Sequence, residues 1–225
     1  SNLKKEIDLF PTYTDILVLL LSEFKLRNVN YLEIGTSVFK NFQQIENSLD
    51  DSILYGYDMN DLISTIKNKY NFKSKIDRAS KQEYFYSKER NEIFYFKNNV
   101  LSKEGGEIFR NLLDEKINVI FSDALHSEEG ILSEYKNLIK GNLSNQFIYY
   151  FDDLNMYDVQ DGVEKVFKDL RSNNNNVKFY SFWSYGWIGQ YEKLHKIGLI
   201  TTLDIASIFK KKNISLPFFK EITNV

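Results

Sequence analysis

The sequence predicts an α/β fold with a doubly wound, mostly parallel sheet and an antiparallel edge pair, on three observations. Strand-like and helix-like patterns alternate five times between residues 31 and 171, which calls for crossover connections between parallel strands. The run 117–123 (INVIFSD) is apolar almost throughout, as suits a strand covered on both faces. Two later strand-like runs, 177–183 and 197–203, have no convincing helix between them. They are expected to pair antiparallel at the sheet edge.

Each element has a local reason. Thr12 and Asp15 have the spacing of a capping box ahead of an apolar helix reaching about Lys25. Residues 31–35 (YLEIG) read as a strand ending in a glycine turn. Phe39, Phe42, Ile45 and Leu49 then recur at helical spacing. Residues 52–58 (SILYGYD) are a second strand, and 61–69 and 81–90 are expected to be helical. A third strand, 93–97 (IFYFK), leads to a helix marked by Ile108, Phe109, Leu112 and Leu113. After the fourth strand, helix 128–140 carries Glu128 and Glu129 in its first turn, where the helix dipole favours anions. Gly141 ends it. The fifth strand is 147–151 (FIYYF), followed by helix 161–171.

At 225 residues with 43% hydrophobic and 27% charged residues, the chain suits one globular core. We expect a single domain over 1–225: an N-terminal helical segment 1–29, a core 30–203, and an unplaced tail 204–225. No Pro/Gly/Ser linker divides it, and its only prolines are Pro11 and Pro217. Ser1-Asn2 reads as a cloning remnant and is set aside. The absence of cysteine excludes disulfides, thiol catalysis and Cys-ligated metals, and fits a reducing, cytoplasmic setting. Two histidines, His126 and His195, exclude a three-His metal site. A formal charge of −2 gives no electrostatic basis for a nucleic acid or anionic membrane partner. The longest apolar run, 16–21, falls far short of the roughly 20 residues a spanning helix needs.

In doubly wound sheets, ligands bind beyond the carboxyl ends of the strands. An acid or amide ends each of the first five strands: Glu33-Ile34-Gly35, Asp58, Asn98-Asn99, Asp123 with His126, and Asp152-Asp153. Gly35 would let the backbone approach a ligand without a Cβ in the way. Asp58, 23 residues further on, ends the next strand and could accept both ribose hydroxyls. The bland alternatives are an ordinary βα-turn glycine beside an exposed aspartate, and for Asp152-Asp153 a turn or helix cap. His126 could simply lead into a helix, and His195 reads as structural or solvated. Trp183, Tyr185 and Trp187 read either as edge packing or as a wall of a substrate pocket.

The stretch YLEIGTS resembles motif I of the class I S-adenosylmethionine-dependent methyltransferases, whose pattern is an acidic residue, any residue, then Gly-x-Gly-x-Gly. Ser37 and Phe39 stand at the second and third glycines. The resemblance runs from about residue 30 to 170. It implies that Glu33, Gly35, Thr36, Ser37, Asp58 and Asn99 hold S-adenosylmethionine. The run from 117 to 153 further resembles the metal-dependent small-molecule O-methyltransferases of the macrocin and catechol types. That implies a Rossmann-like methyltransferase fold with Asp123, Asp152 and Asp153 around a divalent cation.

Adjacent strands lie about 4.8 Å apart, so these carboxylates can reach one ion. An oxygen-rich set suits Mg²⁺, with Mn²⁺ or Ca²⁺ as alternatives. Asp123 and His126 are the expected catalytic residues, with His126 as general base. The expected reaction is O-methylation of a small hydroxylated metabolite, such as a sugar or natural product. No nucleic acid or membrane partner is expected, and the helix after Thr12 could cover the pocket or form a homodimer. The rivals are a binding or scaffold domain that has lost its catalytic function, for which Phe39 and Leu125 speak, and an NAD-dependent oxidoreductase.

Overall fold

The parallel centre of the sheet forms where the sequence is apolar on both faces, and everything else is added at its two sides. The computed structural model describes residues 11–24, 28–77, 80–187 and 192–223. Residues 1–10, Lys25 and the last two residues of the tail, all covered by the sequence reading, lie outside the described residues. In chain order the elements are α1 (Tyr13–Leu21), β1 (Asn30–Ile34), α2 (Lys40–Asn47), β2 (Ile53–Asp58), α3 (Ser64–Lys69), β3 (Lys73–Ile76), β4 (Glu83–Lys88) and β5 (Glu92–Lys97). They continue with α4 (Lys103–Asn111), β6 (Ile117–Ser122), α5 (Glu128–Glu134), β7 (Leu143–Phe151), α6 (Tyr157–Asn173), β8 (Lys178–Tyr185), β9 (Leu194–Thr201), α7 (Ile205–Lys211) and β10 (Lys220–Glu221).

These strands form one sheet in the order β10-β8-β9-β7-β6-β1-β2-β5-β4-β3. The five strands β7, β6, β1, β2 and β5 are parallel. The chain runs outward from β1 through β2 to β5, then returns to β6 on the other side of β1. The switch in direction therefore lies between β1 and β6, where such sheets open a crevice. One apolar core packs α1, α2, α3 and α7 against one face, and a second packs α4, α5 and α6 against the other. This is the doubly wound arrangement that the alternating pattern predicts.

The antiparallel pair is present, but only its second member touches the parallel core. β9 runs antiparallel between β7 and β8, and β10 from the tail adds a rung outside β8. The expected helix at 81–90 is instead β4, which follows β3 in a hairpin and pairs antiparallel with β5. The reason is aromatic. Tyr84 stacks with Phe94 and Phe96, while Phe85 meets Tyr95, so successive rings face opposite ways as in a strand. The expected helix 128–140 is α-helical only to Glu134 and continues as a π-turn over Tyr135–Ile139. The Thr12 capping box forms as read: the Thr12 hydroxyl accepts from Asp15 N (3.1 Å), and Thr12 N donates to the Asp15 carboxylate (2.9 Å).

Candidate functional site

The turn after β1 is built from residues in the left-handed region. Gly35, Ser37 and Phe39 have φ of 85°, 46° and 68°. These are the three positions at which the motif pattern places glycine. Gly35 has no alternative, because a Cβ there would lie 2.0 Å from the Asp123 carbonyl oxygen. Ser37 and Phe39 adopt the same conformation at a cost of about 1 kcal/mol each. Backbone bonds and packing hold them in place. Ser37 N donates to Asp58 (2.8 Å), Phe39 N donates to Thr36 O (2.7 Å), and the Phe39 ring stacks on Phe42 in the core (4.2 Å). The Phe39 side chain is therefore turned away from the ligand side of the turn.

Asp58, at the end of β2, sits at the centre of this turn. One carboxylate oxygen accepts from Ser37 N and from the Thr36 hydroxyl (3.4 Å). The other accepts from the backbone and side-chain amides of Asn60 (2.8 and 3.1 Å). A cavity of about 350 Å³ opens above it, lined by Gly35, Ser37, Asp58 and Asn99 together with Tyr57, Met59, Asn60, Asn98, Val100, Leu101, Asp123, Ala124 and Leu125. Met59, Leu101 and Leu125 are exposed apolar side chains at this cavity, which gives it faces for a flat ring as well as polar anchors. The sequence reading did not single out Met59, Asn60, Val100 or Leu101. The available signal was their position directly after the polar strand ends.

Two of the cofactor residues expected from the sequence lie below the cavity rather than in its wall. Thr36 is buried against β2. Glu33 is 1% exposed. It shares the Tyr31 face of β1 and accepts from the Tyr31 hydroxyl (2.5 Å) and from Asn41 Nδ2 (2.9 Å). Burial pushes its carboxyl up to about 8, against the opposing pull of those two donors.

On the other side of Gly35, both histidines of the chain meet three aspartates. His126 Nε2 stands 3.2 Å from Asp123 Oδ1, and His126 Nδ1 stands 3.9 Å from Asp153 Oδ2. His195 Nδ1 donates to Asp152 Oδ1 at 2.9 Å and lies 3.4 Å from Asp153 Oδ1. Burial lifts Asp123 to about 6, partly offset by its bond to His126. That same bond raises the His126 imidazole. Asp152, then Asp153, holds the His195 imidazole up at about 9, and His195 in turn lowers Asp153.

Asp152, Asp153 and His195 form a group whose ligand atoms lie within 4.8 Å of one another. Asp123 stands outside that group, bonded to His126. His195 Nε2 and Asp153 Oδ1 are buried with no hydrogen-bond partner among the described residues. The sequence reading passed over His195 as structural or solvated. It reaches the cluster because β9 inserts beside β7, a pairing with no local signature.

The start of α1 closes over this cluster. Tyr13 N donates to Gly186 O (3.2 Å), and the Tyr13 ring lies edge-on to His195 with centroids 6.0 Å apart. The aromatic trio from the sequence is split up. Trp187 sits under Lys40 (3.9 Å from ammonium to ring centroid), whereas Trp183 faces a groove elsewhere.

No protein-family model matches the sequence, and a search of curated proteins finds no match. Solved structures do share the fold. The O-methyltransferase TomG from Streptomyces achromogenes, in complex with SAM, superposes with a TM-score of 0.54 at 14% identity, over 82% of this chain and 77% of that one. A putative caffeoyl-CoA O-methyltransferase from Staphylococcus aureus gives 0.53 at 15% identity, over 85% of each chain. The O-methyltransferase from Bacillus cereus, in complex with SAH, gives 0.51 at 14% identity, over 82% and 79%. The chain therefore has the Rossmann-like fold of the class I methyltransferases. No described helix is long and apolar enough to cross a membrane.

Proposed function

We propose that the protein is an S-adenosylmethionine-dependent methyltransferase that methylates a hydroxyl of a small metabolite with the help of a divalent cation. One observation carries the reading. Asp123 lines the cavity above Gly35 and Asp58 and is also bonded to His126 of the cluster, so the donor cavity and the polar cluster share a wall.

The cavity's residues fit the cofactor. Asp58 would take the ribose hydroxyls, displacing the longer bonds from Thr36 and the Asn60 side chain. Asn99 and the apolar side chains of Met59, Leu101 and Leu125 would hold the purine. Gly35 and Ser37 would bring backbone close to the ligand, with Glu33 and Thr36 supporting them from beneath. When bound, the sulfonium supplies an electrophilic methyl group, and the protein's contribution is positioning.

The cluster also fits a cation, since His195 Nε2 is buried with no hydrogen-bond partner among the described residues and the donors are two carboxylates and an imidazole. Asp152, Asp153 and His195 would hold Mg²⁺ or Mn²⁺, with Asp123 facing it. When bound, the ion supplies Lewis acidity that makes an acceptor hydroxyl easier to deprotonate. His126, half-exposed at the junction of the two regions, would take the acceptor's proton.

The test is calorimetric titration with S-adenosylhomocysteine, followed by methyl transfer from labelled S-adenosylmethionine to a panel of hydroxylated acceptors. We expect binding, turnover on at least one acceptor, and loss of turnover in EDTA that Mg²⁺ or Mn²⁺ restores. Failure to bind S-adenosylhomocysteine overturns the reading in favour of a non-enzymatic binding domain. Turnover indifferent to EDTA removes the cation alone.

A further inference from the structure

A second cavity, of about 580 Å³, lies on the α6 face of the sheet, where that helix leaves the outer strands uncovered. On β9, His195 points to the carboxylate cluster, and its neighbour Lys196 must point to the opposite face. Lys196 is registered opposite Trp183 on β8, and Lys220 of β10 opposite Ser181, two residues along the same face of β8. Two ammonium groups thus flank one short stretch of β8, from strands on either side of it. Neither makes an ion pair among the described residues. Lys196 only donates to Gln160 Oε1 at 3.4 Å, and the nearby Glu164 is bonded to Gln160. Burial and the charge of Lys220 push the Lys196 ammonium below its ordinary range.

The aromatic side chains around this groove are placed at a cost. Phe218 is 80% exposed and has a left-handed φ of 53°, an uncommon backbone for a bulky residue. Tyr157 is 86% exposed. Trp183 is held by a bond from its backbone N–H to Pro217 O (3.0 Å), and Phe219 anchors the segment beside Phe218 by stacking on Tyr180 on the opposite face of the sheet, with 12° between the rings. Strain and exposed aromatic surface that the fold does not itself use mark a binding site. Lysines on both sides, with no ion pair among the described residues, specify the charge of the ligand.

We propose that this groove binds a small aromatic phosphate ester, its ring between Trp183 and Phe218 and its phosphate between Lys196 and Lys220. The groove is separate from the methyl-transfer site and does not rest on that reading. Stacking supplies sequence-independent affinity for any flat ring, and the paired ammonium groups favour a doubly charged head over a neutral one.

The test is titration of the full chain with phenyl phosphate, followed by tryptophan fluorescence and calorimetry, with phenol and inorganic phosphate as controls. We expect saturable quenching that Trp183→Phe abolishes, and affinity at least tenfold weaker for either control. Lys196→Gln and Phe218→Ala should each weaken binding about tenfold. So should Lys220→Gln, whose exposed position leaves folding intact. Saturating S-adenosylhomocysteine should leave the affinity unchanged. The proposal is overturned if phenol binds as tightly as phenyl phosphate, if Lys220→Gln binds like the wild type, or if S-adenosylhomocysteine displaces the probe.

Discussion

The two regions that meet at Gly35 are held by different forces. The cavity side is a matter of backbone: left-handed residues, amide N–H groups aimed at Asp58, and a turn closed by short local bonds. The cluster side is a matter of charge: two imidazoles and three carboxylates from β6, β7 and β9, each changing the protonation of its neighbours. The first is shaped by the backbone before any ligand arrives. The second is a set of interdependent protonation states that a cation or a proton can rearrange. A methyl donor needs fixed geometry, and an acceptor hydroxyl needs adjustable charge, so the division matches the two demands of the proposed reaction.

The close approach of Gly35 to the Asp123 backbone lies where the two regions meet, and replacing Gly35 should have the largest effect. Gly35→Ala would place a methyl group 2.0 Å from Asp123 O at φ 85°. Strain and overpacking together should cost about 3 kcal/mol or more. A urea denaturation midpoint unchanged from wild type would show that the regions are not locked together there.

A pair of substitutions should then separate the regions. Asp58→Ala should weaken S-adenosylhomocysteine binding about 100-fold, because it removes the charged acceptor of the ribose and frees the turn. Asp152→Asn should leave that binding within a factor of about three while abolishing Mg²⁺- or Mn²⁺-dependent turnover, on the order of 100-fold. Calorimetry for the first and labelled-methyl transfer for the second give the readouts. If both variants lose both properties to the same degree, the site is one unit and the division fails.

Legibility in the sequence follows the same line. The parallel core and the acid at each strand end could be read because each sits within one strand and its turn, where hydrophobic period and polar punctuation coincide. Asp58 and Gly35 needed nothing more. His195 could not be read. Its partner Asp152 lies 43 residues away, and although the run 197–203 reads as an antiparallel edge strand, nothing in either segment says that it inserts beside β7. The error at 81–90 has a related cause. Charged residues around Tyr84, Phe85 and Tyr86 imitate a solvated helix, and only the aromatic partners on β5 reveal the strand. The side chain of Phe39 was equally hidden, since a bulky residue at a glycine position reads as an obstruction until its ring is seen in the core.

Glu33 tests the division from inside the backbone-held region, because there it behaves as a charge. Its carboxyl titrates near 8 in the folded chain, against an ordinary value of 4.5. Between those values the folded state keeps a proton that the unfolded state releases, so stability falls as pH rises through that window. Glu134, lifted to about 7 by burial, acts in the same direction. The informative quantity is therefore the difference between wild type and Glu33→Gln. The wild type should lose stability more steeply between pH 5 and 8, as read by urea midpoints across that range. Parallel curves would mean that Glu33 does not carry a proton in the folded state.

The smallest effect tests the claim that this turn keeps its conformation against the preference of its own residues. Ser37 makes its useful contact through the backbone N–H to Asp58, and its φ of 46° is strained for any side chain. Ser37→Gly keeps the bond and removes the strain, though glycine also loosens the unfolded chain. The net should be a gain of about 0.5 kcal/mol with S-adenosylhomocysteine affinity unchanged. Phe39→Gly relieves comparable strain but empties the core of a stacked ring, and should instead cost about 3 kcal/mol. Opposite signs at two positions of one motif, read from thermal midpoints, would show that the turn follows the glycine pattern in shape while Phe39 has been recruited to the core. Equal signs would mean that the left-handed backbone is not what the two positions share.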